Sequence, residues 1–475
     1  MYCFHLSAEK YYKNLSGDLE YGWSWLAAFK LKRLVDTADF EWKTWKSCLL
    51  IWLRFVTFHL FVNQILKRKL QKFIILFNTG ISFCWLLYVL GPMLSLIIFL
   101  QPLVLQLIFQ LFSLTFVWVA CLSLIYALHS SYFVEIKDYM FEKDYTQEYL
   151  FAILITWTIA RSISYLVDTS SLNNEQKRLR NCYYYCFYLP LLPTGPLLLY
   201  NEFQNSVEKT VSPWCWRKFF IRLLNVLRYL FWWFFHQLAL HFFYHSAFQY
   251  HSNLVERLDT WSAAGLGYSL GQFFMTKYTV LYGLPSALAK LDQVDCPKPP
   301  KCIGRIHLYS QMWRDFDRGL YNFMLRYIYI PLISFSAWTS WKLVCSALCF
   351  IFVGIWHGGT TAVVVWCVCN YIGICIEMTA KHMSKLPPLS IWKTNWTAAN
   401  WLRFEAAACS PLLLISALSN FCFFTDANVG FILASKAILE GGALRLLFIL
   451  VVMYCCCHVS MAVKHLKYFH TKKNK

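Results

Sequence analysis

Residues 73–134 contain no Asp, Glu, Lys or Arg. A helix rises 1.5 Å per residue, so a run of that length supplies roughly three crossings of a ~30 Å hydrocarbon core. The pairs Gly91-Pro92 and Gln101-Pro102 are the expected turning points within it. The remaining chain agrees with a membrane setting: 58% of its 475 residues are hydrophobic and only 15% are charged. A soluble domain runs at roughly 45–50% apolar and about 25% charged. The expected fold is an all-α polytopic membrane protein, with about ten to twelve transmembrane or re-entrant helices around a central membrane-embedded catalytic cavity.

The same composition excludes other classes. The 19 cysteines are scattered through apolar runs, where they act as small hydrophobes rather than a disulfide framework. A disordered chain or a nucleic-acid-binding protein needs a solvated, charge-rich surface. The excess of Lys+Arg 44 over Asp+Glu 25 lies mostly in short segments between apolar runs, where it reports topology first. It also favours anionic lipid headgroups or a polyanionic cytosolic substrate.

Residues 1–46 are the least apolar part, with Asp18, Glu20, Asp36, Asp39 and Glu41; they read as a luminal or interfacial segment with no removable signal pattern. The first candidate span, 47–66, carries Arg54 and His59 and ends in Lys67, Arg68, Lys69 and Lys72. By the positive-inside rule that end is cytosolic. Further candidate spans are 150–167, 182–200, 229–248, 263–288, 321–338, 343–357, 361–376, 406–424 and 446–463. Pro190, Pro193, Gly195 and Pro196 interrupt one of them. Broken segments at membrane depth imply an internal cavity, and the absence of internal repeats argues against repeat-built transporters. The membrane domain is expected over 47–463 and a basic cytosolic tail over 464–475. In that tail Lys472 and Lys473 read equally as a dilysine retrieval signal or as an ordinary basic anchor. Of the two glycosylation patterns, Asn14-Leu15-Ser16 and Asn395-Trp396-Thr397, only the first falls on a face expected to be luminal.

An ionisable group in a bilayer costs about 2.5–3.5 kcal/mol, so each one needs a reason. His357, in Trp356-His357-Gly358-Gly359, lies between two nearly uncharged runs. An intramembrane histidine marks a proton or ligand path more often than a soluble one does, and the glycines leave room for a substrate. The block from Trp313 through Arg314, Asp315, Asp317 and Arg318 to Gly319 alternates charge beside aromatics; a solvated interfacial loop would look the same. Asn420, after Ser419, is an interhelical hydrogen-bonding residue or an amide donor to an oxyanion. Lys277 either snorkels to an interface or faces a phosphate. Cys302 ends the Pro-rich linker from Cys296 and on composition alone is one cysteine among many.

Together these elements resemble the membrane-bound O-acyltransferase family, and within it the Hedgehog acyltransferase branch. The likeness runs from Asp36-Thr37-Ala38-Asp39-Phe40-Glu41-Trp42, through Gly195-Pro196, Lys277-Tyr278, Leu291-Asp292, the Trp313 to Pro331 block and His357, to Ser419-Asn420 and Cys457-His458-Val459. One departure is that residues 1–46 lack the additional apolar span with which the branch begins. The resemblance implies a palmitoyl-CoA-dependent N-acyltransferase of the endoplasmic reticulum membrane, with a cytosolic C-terminus. It would place palmitate in amide linkage on the N-terminal Cys of secreted Hedgehog-type, and in some members epidermal-growth-factor-like, signals. It carries over His357 as the catalytic histidine, Asp317 as its partner acid, Trp313 and Arg314 at the acyl-CoA site, Asn420 near the reaction centre and Cys302 as the ligand of a haem b iron.

In the expected mechanism neutral His357 accepts the proton of the acceptor amine, worth typically 10²–10⁴ in rate. Asp317 orients the acceptor terminus or the base, and Asn420 faces the oxyanion. Palmitoyl-CoA, the acceptor protein and membrane lipids are the expected partners. The alternatives are an acyltransferase for a lipid, a sterol or a Ser-bearing peptide, and a transporter or non-enzymatic scaffold that uses the same cavity. The last would bind ligand without yielding acylated product.

Overall fold

The computed structural model describes residues 1–21, 33–170, 175–209, 215–302, 306–336, 338–440 and 442–473; residues 22–32 of the N-terminal segment and 474–475 of the basic tail lie outside that set. The N-terminal part holds α1 (Tyr2–Tyr11), α2 (Phe40–Lys69), α3 (Ile74–Leu111), α4 (Leu114–His129), α5 (Val134–Phe141) and α6 (Tyr145–Thr169). The middle holds α7 (Glu175–Cys186), α8 (Tyr200–Glu208), α9 (Trp216–Ala239), the short α10 (His245–Phe248) and α11 (Ser252–Glu256), and α12 (Thr260–Leu291). The C-terminal part holds α13 (Tyr309–Phe316), α14 (Arg318–Met324), α15 (Ile330–Ile333), α16 (Thr339–Trp356), α17 (Thr361–Met383), α18 (Leu389–Asn395), α19 (Ala398–Phe424), α20 (Ala427–Ile438) and α21 (Gly442–Lys473). The only strand pairing among the described residues is β1 (Leu19–Glu20) with β2 (Val35–Asp36), antiparallel.

The protein is all-α and multi-pass. Among the described residues six helices are long and apolar enough to cross a membrane, or seven if the bent pair α4–α5 is one span. The apolar helices over Ser340–Trp356 and Ala427–Ile438 are shorter. The sequence-based count of about ten to twelve is higher. Of the expected spans, 343–357 falls in the shorter helix over Ser340–Trp356, 229–248 overlaps α9 and 263–288 lies in α12, neither of which is among the six. Two further expected spans are broken. Residues 182–200 leave the helix at Cys186, and 321–338 are broken by a π-turn over Leu325–Tyr329 and by Pro331.

The sequence of α2 explains its position. Asp39 caps it by accepting the Trp42 N–H at 2.9 Å, and Trp42, Trp45, Leu49, Trp52, Val56, His59, Asn63 and Leu66 are its buried residues. Their spacing alternates three and four, which is one continuous face; Leu50, Phe58, Phe61 and Ile65 stay exposed on the other side. In α3, Gly91 takes φ +76 and bends the helix ahead of Pro92, and Pro102 lies inside it. Gly91-Pro92 is therefore a kink at which two helical stretches meet, whereas the helix runs on through Gln101-Pro102 and ends at Leu111, with Phe112 as its cap.

The broken segment, 187–199, forms a buried strap across the bundle. Its prolines cannot donate, and its carbonyls are satisfied from outside: Trp52 Nε1 donates to Leu189 O at 3.2 Å, Ser82 Oγ to Phe187 O, Tyr185 OH to Leu198 O, and buried Arg161 to Cys186 O and Leu191 O. Irregular backbone at membrane depth survives where protein meets its polar groups in this way. A second core, built on Phe4, Leu15, Phe248, Leu266 and Leu433, joins α1 to α12 and α20. Asp36 ties β2 to α10 there, accepting the Ser246 N–H at 2.7 Å and the Ala247 N–H at 3.2 Å.

Candidate active site

A cavity of about 600 Å³ opens between α2, α6, α12, α13 and the α16–α17 junction. Of the residues expected at a site, His357, Asp317, Trp313, Asn420 and Lys277 all line it. They come from four separate stretches of chain, so the fold alone brings them together.

His357 closes α16. Its N–H reaches Val353 O at 3.0 Å, and Gly359 N–H reaches back to Gly354 O at 2.8 Å, a glycine-terminated helix end. Gly358 and Gly359 take φ +89 and +61, conformations glycine adopts without strain. Thr360 then caps α17 through the Val363 N–H. This two-residue turn holds the imidazole at the cavity, edge-on to Trp366 and Phe423 with ring centroids at 6.0 and 5.3 Å. Aromatic packing orients the ring.

Asp317 joins α13 to α14. One carboxylate oxygen caps α14 by accepting the Leu320 N–H at 2.9 Å, and the other accepts the Tyr282 hydroxyl at 2.9 Å. Both oxygens are thus engaged, and no hydrogen bond among the described residues joins Asp317 to the His357 ring. Gly319 seats this corner on the strap: a Cβ there would lie 2.3 Å from Leu197 O.

Trp313 stacks near Trp366 at 5.2 Å and donates Nε1–H to Asn370 Oδ1 at 3.2 Å. Trp366 Nε1–H donates to Asn420 Oδ1 at 2.9 Å, which commits the Asn420 carbonyl and leaves its amide N–H groups for another acceptor. One face of α17 sets this register. Trp366, Asn370, Gly373 and Glu377, spaced 4, 3 and 4 apart, lie along one side of the helix. They meet Asn420, Trp313, the Tyr309 ring and Ser310 in turn.

Lys277 lies in the cavity wall. It is buried and paired with Asp39 at 2.7 Å and Glu41 at 2.8 Å, so it neither snorkels nor offers a free cation to phosphate. Arg314 is exposed on α13 and is not a wall residue of the cavity. Cys302 lies outside the cavity, exposed and in no disulfide. Its neighbour Lys301 binds Asp315 through backbone and side chain, fastening the linker to α13. A single open thiol fits the donor set of a thiolate-ligated haem; among the described residues no group of three His, Cys, Asp or Glu gathers to hold a bare metal ion.

The residues the sequence reading did not place at the site are Tyr282, Trp366, Asn370, Glu377, His129, and Asp39 with Glu41 as wall residues. Of the aspartates, glutamates and lysines lining the cavity, three are carboxylates (Asp39, Glu41, Asp317) and one is Lys277. Asp39 and Glu41 are paired with Lys277, which leaves Asp317 as the carboxylate of this wall without a lysine partner.

Residues 103–417 match the MBOAT, membrane-bound O-acyltransferase family. The chain is 34% identical over 303 residues to the Protein-cysteine N-palmitoyltransferase Rasp of Drosophila melanogaster, covering 62% of this chain and 59% of that protein, less than two thirds of its length. It is 28% identical over 450 residues to the Protein-cysteine N-palmitoyltransferase HHAT of Mus musculus, covering 90% and 88%. A third relative, the Mus musculus Protein-cysteine N-palmitoyltransferase HHAT-like protein, is 24% identical over 65% of this chain.

Proposed function

The chain belongs to the membrane-bound O-acyltransferase family, and from that premise we propose that it transfers palmitate from palmitoyl-CoA to the N-terminal Cys of a secreted Hedgehog-type protein, in amide linkage. The observation that carries the reading is the placement of His357 and Asp317 in one cavity wall. A base and a carboxylate without a lysine partner suit an amine acceptor better than a neutral lipid hydroxyl.

In this mechanism the acceptor's terminal ammonium enters beside Asp317. His357 takes a proton from the nitrogen as it attacks the thioester carbonyl. The amide of Asn420, its carbonyl held by Trp366, donates to the oxyanion. A thiolate leaves readily from the collapsing intermediate, so no acyl-enzyme is needed. Trp313 contacts the acyl donor within the cavity, and exposed Arg314 serves the CoA phosphates outside it. Cys302 would hold haem b through its thiolate; bound there, the group would add a planar apolar surface and an iron centre beside the linker. The natural setting is the endoplasmic reticulum membrane, with residues 1–46 luminal and 464–475 cytosolic.

The test is incubation of the purified protein with labelled palmitoyl-CoA and peptides starting with Cys, Ser or blocked Cys. Hydroxylamine-stable label on the free Cys peptide alone supports the reading, and His357→Ala should cut it by at least about a hundredfold. Label on the Ser peptide or on lipid replaces the acceptor. Binding without product points to a scaffold.

A further inference from the structure

We propose that His129 is a second proton-transfer group of this cavity, taking the first proton from an ammonium acceptor; the inference rests on the N-acyltransferase reading above. His129 is the last residue of α4, at the break where α4 and α5 meet at 80°, and it lines the same cavity as His357. Irregular backbone at this depth is expected where it borders a cavity. The two histidines are fitted to each other through Gly358: a Cβ on that residue would stand 3.0 Å from His129 Nδ1 and 3.1 Å from its Cγ. Glycine directly after His357 is what lets the second ring lie there. The charge acting on His129 from its own end of the bundle is Lys137 on α5, which is paired with Glu148 of α6 at 3.3 Å and donates to Leu128 O. No side-chain hydrogen bond among the described residues ties down either imidazole, so their ring nitrogens are left to serve a ligand.

The chemistry needs two acceptors. A terminal amine has a pKa of about 7.7–8.0, so it reaches the cavity mostly as ammonium. Its nitrogen must lose two protons to become an amide N–H. One imidazole holds one proton, and the wall carboxylates are already engaged, Asp39 and Glu41 by Lys277 and Asp317 by the Tyr282 hydroxyl and the Leu320 N–H. In the proposed sequence His129 takes a proton from R–NH3⁺, giving R–NH2. The amine lone pair attacks the thioester carbonyl, and the π pair moves to oxygen. His357 takes the second proton from nitrogen. The C–S bond breaks with its electron pair on sulfur, and the thiolate takes the proton from His357 to leave as CoA–SH. His129 gives up its proton to solvent. The sum is R–NH3⁺ plus thioester giving amide, thiol and H⁺, with no redox change.

Two peptides that differ only at the N-terminus, one with an α-amine and one with an aminooxy group that is uncharged at neutral pH, separate the roles. The full-length protein with His129→Gln should show a kcat/KM for the amine peptide about tenfold or more below the unsubstituted protein at neutral pH. That deficit should shrink as pH rises and the amine deprotonates by itself. The aminooxy peptide should be acylated at a near-normal rate, which also shows that the variant is folded; His129→Asn, run alongside, guards against one misfolded variant deciding the result. An equal deficit on both peptides at every pH, or no deficit on either, overturns the inference. Failure of the unsubstituted protein to acylate either peptide overturns the N-acyltransferase reading, and this inference with it.

Discussion

Glu377 is an intramembrane carboxylate with a mechanical task, and its removal has a calculable cost. Its side chain is 4% exposed. It accepts the Ser310 N–H at 3.0 Å, the Ser310 hydroxyl and the Lys381 ammonium. Ser310 lies in the first turn of α13, where backbone N–H groups have no partner inside the helix; Glu377 supplies the missing acceptor from α17. In Glu377→Ala the three bonds are lost unequally. Lys381, 58% exposed, turns to water at little cost, and the Ser310 hydroxyl can rotate to another acceptor. The Ser310 N–H cannot move, and an unsatisfied buried donor costs about 1–3 kcal/mol. At 1.4 kcal/mol per factor of ten, that lowers the docking equilibrium constant of α13 by roughly five- to 150-fold. Because α13 carries Trp313 and leads into Asp317, kcat/KM for acyl transfer should fall, by up to that range, measured with labelled acyl donor in micelles. Glu377→Gln keeps an oxygen for the Ser310 N–H and should stay within a few fold of the unsubstituted protein. An alanine variant of normal activity, or a glutamine variant as damaged as the alanine one, would refute the idea that this bond sets the register of α13.

Other expectations follow from the same geometry. Asp317→Asn keeps an oxygen for the Leu320 N–H, so thermal unfolding should be nearly unchanged while turnover drops sharply; normal kinetics would remove Asp317 from the mechanism. Tyr282→Phe deletes one hydrogen bond to that carboxylate, worth about 1.5–3 kcal/mol for a charged partner, and should lower kcat/KM by tenfold or more. Cys302→Ala should abolish a thiolate-haem absorption band in the purified protein, and an unaltered spectrum would assign the ligand elsewhere. Burial pushes the Asp36 carboxyl up to about 7, against the pull of the N–H groups of Ala38, Ala247 and Ser246. A folded-state value above the unfolded one, about 3.9, stabilises fully below the lower value and is lost as pH rises through the upper. Protection of the α10 amides, taken relative to their intrinsic exchange rates at each pH, should therefore rise from pH 7 toward 4, a trend that Asp36→Asn should flatten.

The sequence exposed the parts of this molecule that depend on local chemistry. A charge-free run can only be membrane helix, a three–four alternation of Trp, Leu and Val makes the buried face of α2, and paired glycines after a histidine end a helix with an open ring. His357 and Asn420 stood out for a related reason: each is polar in an apolar neighbourhood, and polarity there has to be explained; Asp317 and Trp313 lie in a charged, aromatic block and were singled out by the resemblance. Tyr282, Trp366 and Asn370 were not. A tyrosine, a tryptophan or an asparagine inside a span is ordinary until its hydroxyl, N–H or amide is seen to end on Asp317, Asn420 or Trp313.

Charge shows the limit most clearly. Applied to every buried ion, the rule that demanded a reason for Lys277 would also have picked out Arg161 and Glu377. It still could not have given the reasons. Lys277 is balanced by carboxylates more than 230 residues earlier in the chain, Glu377 by Lys381 one turn on and by a serine 67 residues away, and Arg161 by bare carbonyls of the strap. A buried ion is costly alone and stable only with partners in good geometry, so each of these groups fixes a contact between segments that local pattern leaves independent. Lys277 joins α12 to the start of α2, Arg161 joins α6 to the strap, and Glu377 joins α17 to α13. The strap in turn bears on Gly319, beside Asp317. The ions that membrane insertion should penalise most are therefore the ones that hold the cavity walls to one another, which is why removing their partners should reach the chemistry at His357 without touching it.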